Sequence, residues 1–447
     1  MNDIKVDKSG VFIRPENVQD SLKNFMLVDG FDITLDLQKS KGAYIYDSKH
    51  QKHLLDFFTF VASNPLGMNH PKLHTDEFIF ELGAVALNKP SLSDVYCKEQ
   101  AEFVGTFFKY AVPDYFKYAF FIEGGALAVE NALKAAIDWK VRKNFQKGYK
   151  EEKGTKIIHF KESFHGRSGY TLSLTNTDPV KIQYFPKFDW PRITNPKITF
   201  PLNEINLKKV IELEDLAISE IKKAITDNKD EIAAIIIEAI QGEGGDNHFR
   251  KEFFIKLREI CDESEIIFII DEVQTGIAMT GKWWAHMHYV QPDIISFGKK
   301  TQVCGILSTG RIDEIEENVF RKPSRINSTW GGNIVDMHRF KRILEIINED
   351  NLVENARVQG EYLMKKIFEL QEKFPAIASA GRGLGLFSAF DCATPEQRNF
   401  ITSESQKEGL MILGCGAKTI RFRPNLAIKS NELDEGFEIL EKVMKKI

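Results

Sequence analysis

The sequence has few cysteines, and their spacing excludes two common classes of site. The 447 residues include five of them, with no Cys-x-x-Cys pair and no histidine beside them at metal-ligand spacing. The five are Cys97, Cys261, Cys304, Cys392 and Cys415. An odd, dispersed set is typical of reduced thiols in a reducing compartment. The ten histidines show no His-Glu-x-x-His spacing, so we expect neither a zinc site nor metal catalysis.

Long hydrophobic runs and an excess of one charge are also missing. The longest apolar runs, such as Ile266–Ile270, are far shorter than the roughly 20 residues of a membrane helix. Residues 1–12 are charged and lack the apolar stretch of a secretory signal. A formal net charge of −4 predicts no nucleic-acid partner and no anionic membrane partner. We therefore expect a soluble, cytoplasmic protein that holds any anionic ligand in a local site.

The middle of the chain alternates short apolar runs with amphipathic helical stretches, and it has no internal repeat. The helix after the first run has Val129, Ala132, Leu133 and Ala136 on one face, and Leu207–Asp227 is apolar on one side only. Runs that are apolar on both faces indicate a largely parallel sheet covered by helices on both sides, which is an α/β fold. The predicted strands are Phe120–Ile122, Ile157–Phe160, Ile232–Ile237, Ile266–Ile270 and Ile294–Phe297.

The pattern changes after about Gly332. A helical region over Val335–Lys373, of one or two helices, precedes a glycine-rich strand at Arg382–Asp391, a strand near Thr419–Phe422 and a terminal helix. We interpret this part as a smaller α+β domain. The predicted division is an N-terminal segment 1–58 that packs with the small domain, a large domain 59–333 and a C-terminal small domain 334–447.

Two chemically suggestive residues follow apolar strands. Asp271 comes directly after Ile266–Ile270, and Lys299 follows Ile294–Phe297. Alone, such an aspartate is more often a helix cap and such a lysine a solvated surface group. Together, at the functional edge of a parallel sheet, they indicate one ligand between them. The carboxylate would hold a protonated ring nitrogen, and the amine, with a lowered pKa, would form an imine.

A third segment, Glu123–Glu130, reads as strand, Gly-Gly turn and helix. Free N–H groups and the helix dipole at such a turn favour a phosphate. The segment is neither a Walker A motif nor Gly-x-Gly-x-x-Gly, and alone it would predict only a structural turn. Combined with Asp271 and Lys299, it supplies the third contact that pyridoxal 5′-phosphate requires.

These three segments, in this order, resemble the class III aminotransferases among the fold-type I pyridoxal-phosphate enzymes. The resemblance extends over nearly the whole chain, from Leu54–Phe57 and Leu66–Pro71 to Arg421–Pro424. It implies a large cofactor-binding domain with a mostly parallel seven-stranded sheet and a smaller α+β domain. Within the class, the segments most similar to the L-lysine 6-aminotransferase (lysine ε-aminotransferase) subgroup are Phe164–Thr175, Phe297–Gly305 and Asn327–Asn333.

The resemblance implies a set of cofactor contacts. The class pattern places the imine lysine directly after the small residue that ends the strand, which selects Lys299 over Lys300. The chain has Gly-Gly-Ala where many members have a serine in the phosphate turn, so we expect fewer hydroxyl contacts there. The implied contacts are Asp271 to the ring nitrogen, Val273 and Phe164 on the ring faces, Gln274 at the ring hydroxyl, Gly125 and Ala126 at the phosphate, Glu238 within the site, and Thr329 reaching the neighbouring subunit's phosphate in a homodimer.

The resemblance also implies the substrates. Arg167 would bind the α-carboxylate of L-lysine, and Arg421 that of 2-oxoglutarate, with Glu243 covering Arg421 while lysine reacts and swinging aside for the keto acid. The glycines beside Glu243 would let its loop move. Without the resemblance, a fixed structural ion pair and a surface acid would be the better interpretations. The remaining predicted pocket residues are Val61, Ala62 and Asn327.

The implied reaction transfers the ε-amino group of L-lysine to 2-oxoglutarate in two half-reactions. Its products are L-glutamate and 2-aminoadipate 6-semialdehyde, which can cyclise to piperideine-6-carboxylate. Lys299 would also move the proton between the substrate carbon and the cofactor. Three alternatives stay open: transamination of ornithine or 4-aminobutyrate, an intramolecular amino transfer by a mutase, and a non-catalytic binding protein on the same fold.

Overall fold

The structure, a computed structural model, describes residues 5–7 and 10–447. Residues 1–4 and 8–9, which belong to the predicted segment 1–58, lie outside the described residues. The strands are β1 Lys5–Asp7, β2 Gly10–Phe12, β3 Leu35–Lys41, β4 Tyr44–Asp47, β5 Lys52–Asp56, β6 Phe116–Ile122, β7 Lys156–Phe160, β8 Arg192–Ile193, β9 Ile232–Glu238, β10 Ile267–Asp271, β11 Ile294–Phe297, β12 Cys304–Thr309, β13 Ala378–Leu384, β14 Phe387–Cys392, β15 Leu410–Met411, β16 Leu413–Cys415 and β17 Thr419–Phe422.

Helices separate most of these strands. None of those in the described ranges combines the length and the apolarity that crossing a membrane requires. The helices are α1 Val18–Lys23, α2 Thr59–Ala62, α3 Asp76–Ala86, α4 Lys98–Tyr110, α5 Gly125–Gln146, α6 Thr171–Leu174, α7 Glu204–Asp227, α8 Lys251–Glu263, α9 Ile334–Glu349, α10 Leu352–Lys373, α11 Pro395–Glu408 and α12 Ser430–Met444.

A seven-stranded sheet of order β6-β12-β11-β10-β9-β7-β8 forms the centre of the molecule. Neighbouring strands are parallel except at β12, which is antiparallel to both β11 and β6. The predicted α/β fold with a mostly parallel sheet is confirmed, and each of the five predicted strands is present. Sequence analysis did not predict β12, whose antiparallel insertion makes the sheet mixed.

Both faces of the sheet are buried, as the apolar runs predicted. All seven residues of β9 are buried, and successive residues point to opposite sides. Ile235 and Ile237 belong to one hydrophobic cluster, whereas Ala234 and Ile236 belong to another, which also contains the predicted apolar face of α5. Helices therefore cover both faces, which explains why the strands lack a polar alternation.

The sheet brings several loops to one edge. Strands β6, β9, β10 and β11 all run in the same direction, so their carboxyl ends meet there. Those ends are Ile122, Glu238, Asp271 and Phe297. Ligands bind at this edge in open α/β sheets.

Two four-stranded sheets lie outside the central one, with orders β15-β5-β4-β3 and β13-β14-β17-β16. In the first, Leu55 of the N-terminal part pairs with Leu410 of the C-terminal part. The predicted helical region Val335–Lys373 is two helices, separated at Asn351, which has a φ of 50°. The division at residues 58/59 and 333/334 remains a prediction.

The prediction of a single strand at Arg382–Asp391 was wrong. This stretch belongs to a hairpin, in which β13 and β14 turn at Gly385. Gly385 has a φ of +57°, and a Cβ there would lie 2.6 Å from the carbonyl oxygen of Met279. The glycine therefore marks a tight turn packed against another backbone segment, not the interior of a strand.

Candidate active site

A cavity of about 320 Å³ opens at the carboxyl edge of the central sheet. Loops from strands far apart in the sequence contribute its walls. The volume is at the lower end of those that hold small ligands. The predicted site residues that line it are Gly125, Ala126, Phe164, Arg167, Glu238, Glu243, Asp271, Val273, Gln274 and Lys299.

The two adjoining lysines have different surroundings. Lys299 follows the end of β11 with a left-handed φ of 54° and lines the cavity. Burial, followed by the nearby charge of Arg421, lowers the pKa of Lys299 to about 8. Lys300 is buried, and its amine donates to the carbonyl oxygens of Gln274 at 2.6 Å and Ala62 at 3.3 Å. Of the two, Lys299 is therefore the amine that a ligand in the cavity can reach.

Asp271 is a buried carboxylate at the end of β10. One oxygen accepts a hydrogen bond from the backbone N–H of Val273 at 3.0 Å, and the other lies 2.7 Å from Nδ1 of His165. Sequence analysis assigned no role to His165, although it adjoins Phe164 in a quoted motif. The His165 side chain is fully buried, so its contact with Asp271 fixes the position of the carboxylate at the cavity wall.

Glu238, at the end of β9, binds backbone on both of its oxygens. It accepts from the N–H of Phe164 at 2.9 Å and from the N–H of Gly242 at 3.1 Å. Burial raises the pKa of Glu238 to about 7, with His165 lowering it and Asp271 raising it further. The carboxyl group thereby ties two cavity loops together, and its predicted contact with the cofactor stays a prediction.

The amino terminus of α5 packs closely against the cavity. Gly124 precedes the helix with a φ of 102°. A Cβ at Gly125 would lie 2.9 Å from Cγ1 of Val273, and a Cβ at Gly166 would lie 2.5 Å from the Cβ of Ala126. These contacts require glycine. The N–H groups of the first helical turn have no acceptor within the helix, so they are available to an anion.

Arg421 and Glu243 form the predicted pair. Nη2 of Arg421 lies 3.3 Å from Oε2 of Glu243. The Nε and Nη1 atoms of this arginine are buried and have no hydrogen-bond partner among the described residues. The other oxygen of Glu243 lies 2.6 Å from Nζ of Lys181, a residue that sequence analysis missed. Burial opposes ionisation of Glu243, but Arg421 and Lys181 outweigh it and lower its pKa.

The glycines around Glu243 are closely packed, and the predicted movement of its loop stays a prediction. A Cβ at Gly244 would lie 2.1 Å from the carbonyl oxygen of Glu162, and one at Gly242 would lie 2.3 Å from Oε1 of Gln274. The carbonyl oxygen of Glu243 accepts from the N–H of Gly416 at 3.0 Å. These glycines therefore allow close packing of the loop against its neighbours.

Arg167 stands at the mouth of the cavity. It is exposed, and within residues 5–7 and 10–447 it forms no ion pair with a carboxylate. Gln274 also lines the cavity, but its oxygen already accepts from Nη2 of Arg423 at 3.0 Å. Only the amide nitrogen of Gln274 is left for a ligand.

Five predicted site residues do not line this cavity. One is Arg421, which is next to it through its pair with the lining residue Glu243. Val61 and Ala62 belong to α2, Thr59–Ala62, whose four residues are all left-handed and form a single turn. This turn adjoins Lys300 through the carbonyl of Ala62. Asn327 and Thr329 are exposed, and the carbonyl oxygen of Thr329 accepts from Ser91 at 2.5 Å. Their substrate and cofactor contacts remain predictions.

The chain matches the sequence model of the family Aminotransferase class-III over residues 27–444. It belongs to the class III aminotransferases. A lysine aminotransferase structure from Mycobacterium tuberculosis superposes with a TM-score of 0.95 and 47% identity, covering 97% of this chain and 99% of that one. Two L-lysine-epsilon aminotransferases are similar in sequence. That of Mycobacterium bovis is 49% identical, covering 94% of this chain and 93% of its own. That of Streptomyces clavuligerus is 43% identical, covering 96% and 94%.

Class III aminotransferases depend on pyridoxal 5′-phosphate, and the cavity of this family member fits that cofactor. Its residues include a reachable amine at Lys299, a buried carboxylate at Asp271 and the amino terminus of α5. These groups match the aldehyde, the pyridine nitrogen and the phosphate of the cofactor.

Proposed function

We propose that this protein transfers the ε-amino group of L-lysine to 2-oxoglutarate, giving L-glutamate and 2-aminoadipate 6-semialdehyde. One observation supports this reaction above others. The cavity that contains Lys299 is lined by Arg167, which forms no ion pair within the described residues, and by Glu243, which covers the neighbouring Arg421.

The two arginines match the charges of the two substrates. Lysine has one carboxylate, which Arg167 binds at the mouth while the ε-amino end of the substrate, which has no anionic group, points inward. Nothing in lysine would then neutralise Arg421, and leaving a buried charge without its partner costs about 3–5 kcal/mol. Glu243 supplies that partner at 3.3 Å. 2-Oxoglutarate has two carboxylates, so it uses both arginines once Glu243 turns away.

Bound pyridoxal 5′-phosphate supplies an electron sink for the carbon that loses or gains the amino group. With the cofactor bound, Lys299 would accept the proton from Cε of lysine and return it on the cofactor side, a role that needs its neutral amine. Its pKa of about 8 leaves part of the amine neutral near pH 7. Asp271, held by His165 at 2.7 Å, keeps the pyridine nitrogen protonated. Released product carries an aldehyde and an α-amine, and these condense to piperideine-6-carboxylate.

We infer that the protein works as a homodimer, with Thr329 reaching the phosphate of the neighbouring subunit. Thr329 is exposed and lies outside the cavity of its own chain. Large apolar side chains that are more than three-quarters exposed are candidates for burial in such an interface. They include Phe25, Leu27, Phe80, Leu87 and Tyr96. Analytical ultracentrifugation should give twice the mass of 51.1 kDa, and Thr329→Ala should weaken cofactor binding without dissociating the dimer.

The reaction is tested by the visible spectrum of the holoenzyme with single amines. L-Lysine should bleach the yellow colour, and added 2-oxoglutarate should restore it. Two acetylated lysines show which amine reacts. Nα-Acetyl-lysine, whose ε-amine is free, should bleach the colour, and Nε-acetyl-lysine, whose ε-amine is blocked, should not. If only ornithine or 4-aminobutyrate bleached the colour, the protein would still be an aminotransferase, but lysine would not be its substrate. A mutase would form no glutamate, and a binding protein would stay yellow with every amine.

A further inference from the structure

Glu243 forms ion pairs with two positively charged side chains in this structure, not with one. Its Oε2 faces Nη2 of Arg421 at 3.3 Å, and its Oε1 faces Nζ of Lys181 at 2.6 Å. Arg421 is almost completely buried, with 5% of its side chain exposed, whereas 18% of Lys181 and 30% of Glu243 are exposed. The shorter contact is therefore the one on the solvent side. Because each oxygen has its own partner, Glu243 can lose Arg421 and keep Lys181.

Lys181 is held where it meets Glu243. It ends a short 3-10 turn, Pro179–Lys181, whose start is capped by Asp178 accepting from the N–H of Val180 at 3.0 Å. Its ammonium group also lies 5.5 Å from the centre of the Phe164 ring, a distance at which a cation and an aromatic face attract. The backbone of Phe164 is in turn fixed by Glu238. Two separate contacts thus define the position of the charge.

This arrangement affects the two half-reactions differently. While lysine reacts, Glu243 stays on Arg421 and Lys181 adds little. When the keto acid binds, its carboxylate takes Arg421, and the half-buried carboxylate of Glu243 needs another partner. A half-buried carboxylate without a positively charged partner is unfavourable. Lys181 provides that partner on the side away from Arg421.

We propose that Lys181 is a positioning residue that sets the balance between the two substrates, by holding Glu243 while Arg421 binds the carboxylate of 2-oxoglutarate. This proposal rests on the proposed function, in which a monocarboxylate amine and a dicarboxylate keto acid alternate in one cavity. Lys181 contacts Glu243 and Phe164, and the effect on substrate passes through Glu243.

The test measures each half-reaction separately in the holoenzyme by stopped-flow absorbance. Lysine is mixed with protein loaded with pyridoxal phosphate, and 2-oxoglutarate with protein loaded directly with pyridoxamine phosphate. Lys181→Gln should lower kcat/KM of the 2-oxoglutarate half-reaction about tenfold, the factor for one charge-assisted hydrogen bond. The lysine half-reaction should be unchanged. Lys181→Arg should restore most of the loss.

Two further variants separate this role from a structural one. Lys197 faces the same side of the site but pairs with Glu162, so Lys197→Gln should affect neither half-reaction. In a Glu243→Gln background, Lys181→Gln should have no further effect, because their shared interaction is already lost. The proposal would be overturned if Lys181→Gln slowed both half-reactions equally or slowed neither. It would also be overturned if Lys181→Gln kept its full effect in the Glu243→Gln background. Failure of the wild-type protein to react with lysine would refute the proposed function, and the 2-oxoglutarate measurement would still decide on Lys181.

Discussion

Lys299 and Lys300 are neighbours in sequence, yet their amines have opposite surroundings. Lys299 lines the cavity, whereas Lys300 donates to two backbone carbonyl oxygens in the protein interior. The left-handed backbone of Lys299, with a φ of 54°, separates the two directions. A ligand in the cavity can reach the amine of Lys299, whereas the amine of Lys300 ties two backbone segments together.

This difference predicts different losses for the two substitutions. Lys299→Ala should remove the yellow colour of the bound cofactor and lower kcat about 10³-fold, because a positioned acid–base group contributes that much. Lys300→Met should keep the colour but lower the free energy of unfolding by about 1–3 kcal/mol, since two buried carbonyls lose their donor. Absorbance spectra and denaturant unfolding measure both. Loss of colour in Lys300→Met with an intact fold would assign the cofactor to the other lysine.

Asp271→Asn should bind the cofactor and still fail in catalysis. The amide keeps the size of the carboxylate but not the charge that holds the pyridine nitrogen protonated. We expect kcat to fall about 10²-fold or more. His165→Phe removes the contact of 2.7 Å to Asp271 and should lower kcat less, by about tenfold, the value of one hydrogen bond to a charged group. Steady-state kinetics with saturating cofactor would measure both, and a larger loss in His165→Phe would reverse the assigned roles.

Arg167→Met should weaken lysine binding more than turnover. The guanidinium would contact the carboxylate of the substrate at both ground and transition states, so its loss raises KM with little change in kcat. The expected rise is about tenfold to 100-fold, the range for hydrogen bonds to a charged group. Arg167→Lys should restore part of the affinity, because it keeps the charge but not the planar fork. An unchanged KM in Arg167→Met would place the carboxylate elsewhere.

Capture of the cofactor by the apoprotein should depend on pH through Lys299. Burial and Arg421 lower the pKa of Lys299 to about 8, and only the neutral amine attacks an aldehyde. The capture rate should therefore rise with pH and level off above a midpoint near 8. Arg421→Gln removes a positive charge, so its midpoint should move upward. A rate that keeps rising toward the ordinary lysine pKa of 10.5 would show that the amine is not buried as described.

Two glycine substitutions in helices should have opposite effects on stability. A Cβ at Gly360 in α10 would lie 2.2 Å from the backbone of Gly385, whereas one at Gly105 in α4 would meet nothing within 4 Å. Gly360→Ala should cost about 1–3 kcal/mol through overpacking. Gly105→Ala should add up to about 1 kcal/mol, the difference in helix propensity. Thermal unfolding of both variants compares them, and a tolerated Gly360→Ala would contradict the close packing of α10 on the hairpin.

Local sequence patterns predicted the central strands because both of their faces are buried. They did not predict β12, since its residues Cys304–Thr309 mix apolar with polar side chains and directly follow the lysine motif. The hairpin at Gly385 looked like one strand because the apolar residues Leu384, Leu386 and Phe387 surround the single turn glycine. The left-handed turn Thr59–Ala62 has no glycine, so nothing in its composition marks its conformation.

Site residues were predictable where a motif follows a strand, and less so where the fold brings distant segments together. Asp271 and Lys299 both stand at strand ends, where the sheet gathers functional groups. Lys181 has no such signal, since it meets Glu243 across 62 positions of sequence. The glycines beside Glu243 suggested mobility from the sequence. The close approach of Gly244 to the backbone of Glu162, which also needs glycine, could be seen only in the structure.

The most direct test of the central claim follows the nitrogen atom. The holoenzyme is incubated with 2-oxoglutarate and L-lysine labelled with ¹⁵N at either the ε or the α position, and the glutamate formed is analysed by mass spectrometry. The account predicts ¹⁵N-glutamate from the ε-labelled lysine only, with piperideine-6-carboxylate as the other product. Label in glutamate from the α position, or no labelled glutamate from either lysine, would contradict it.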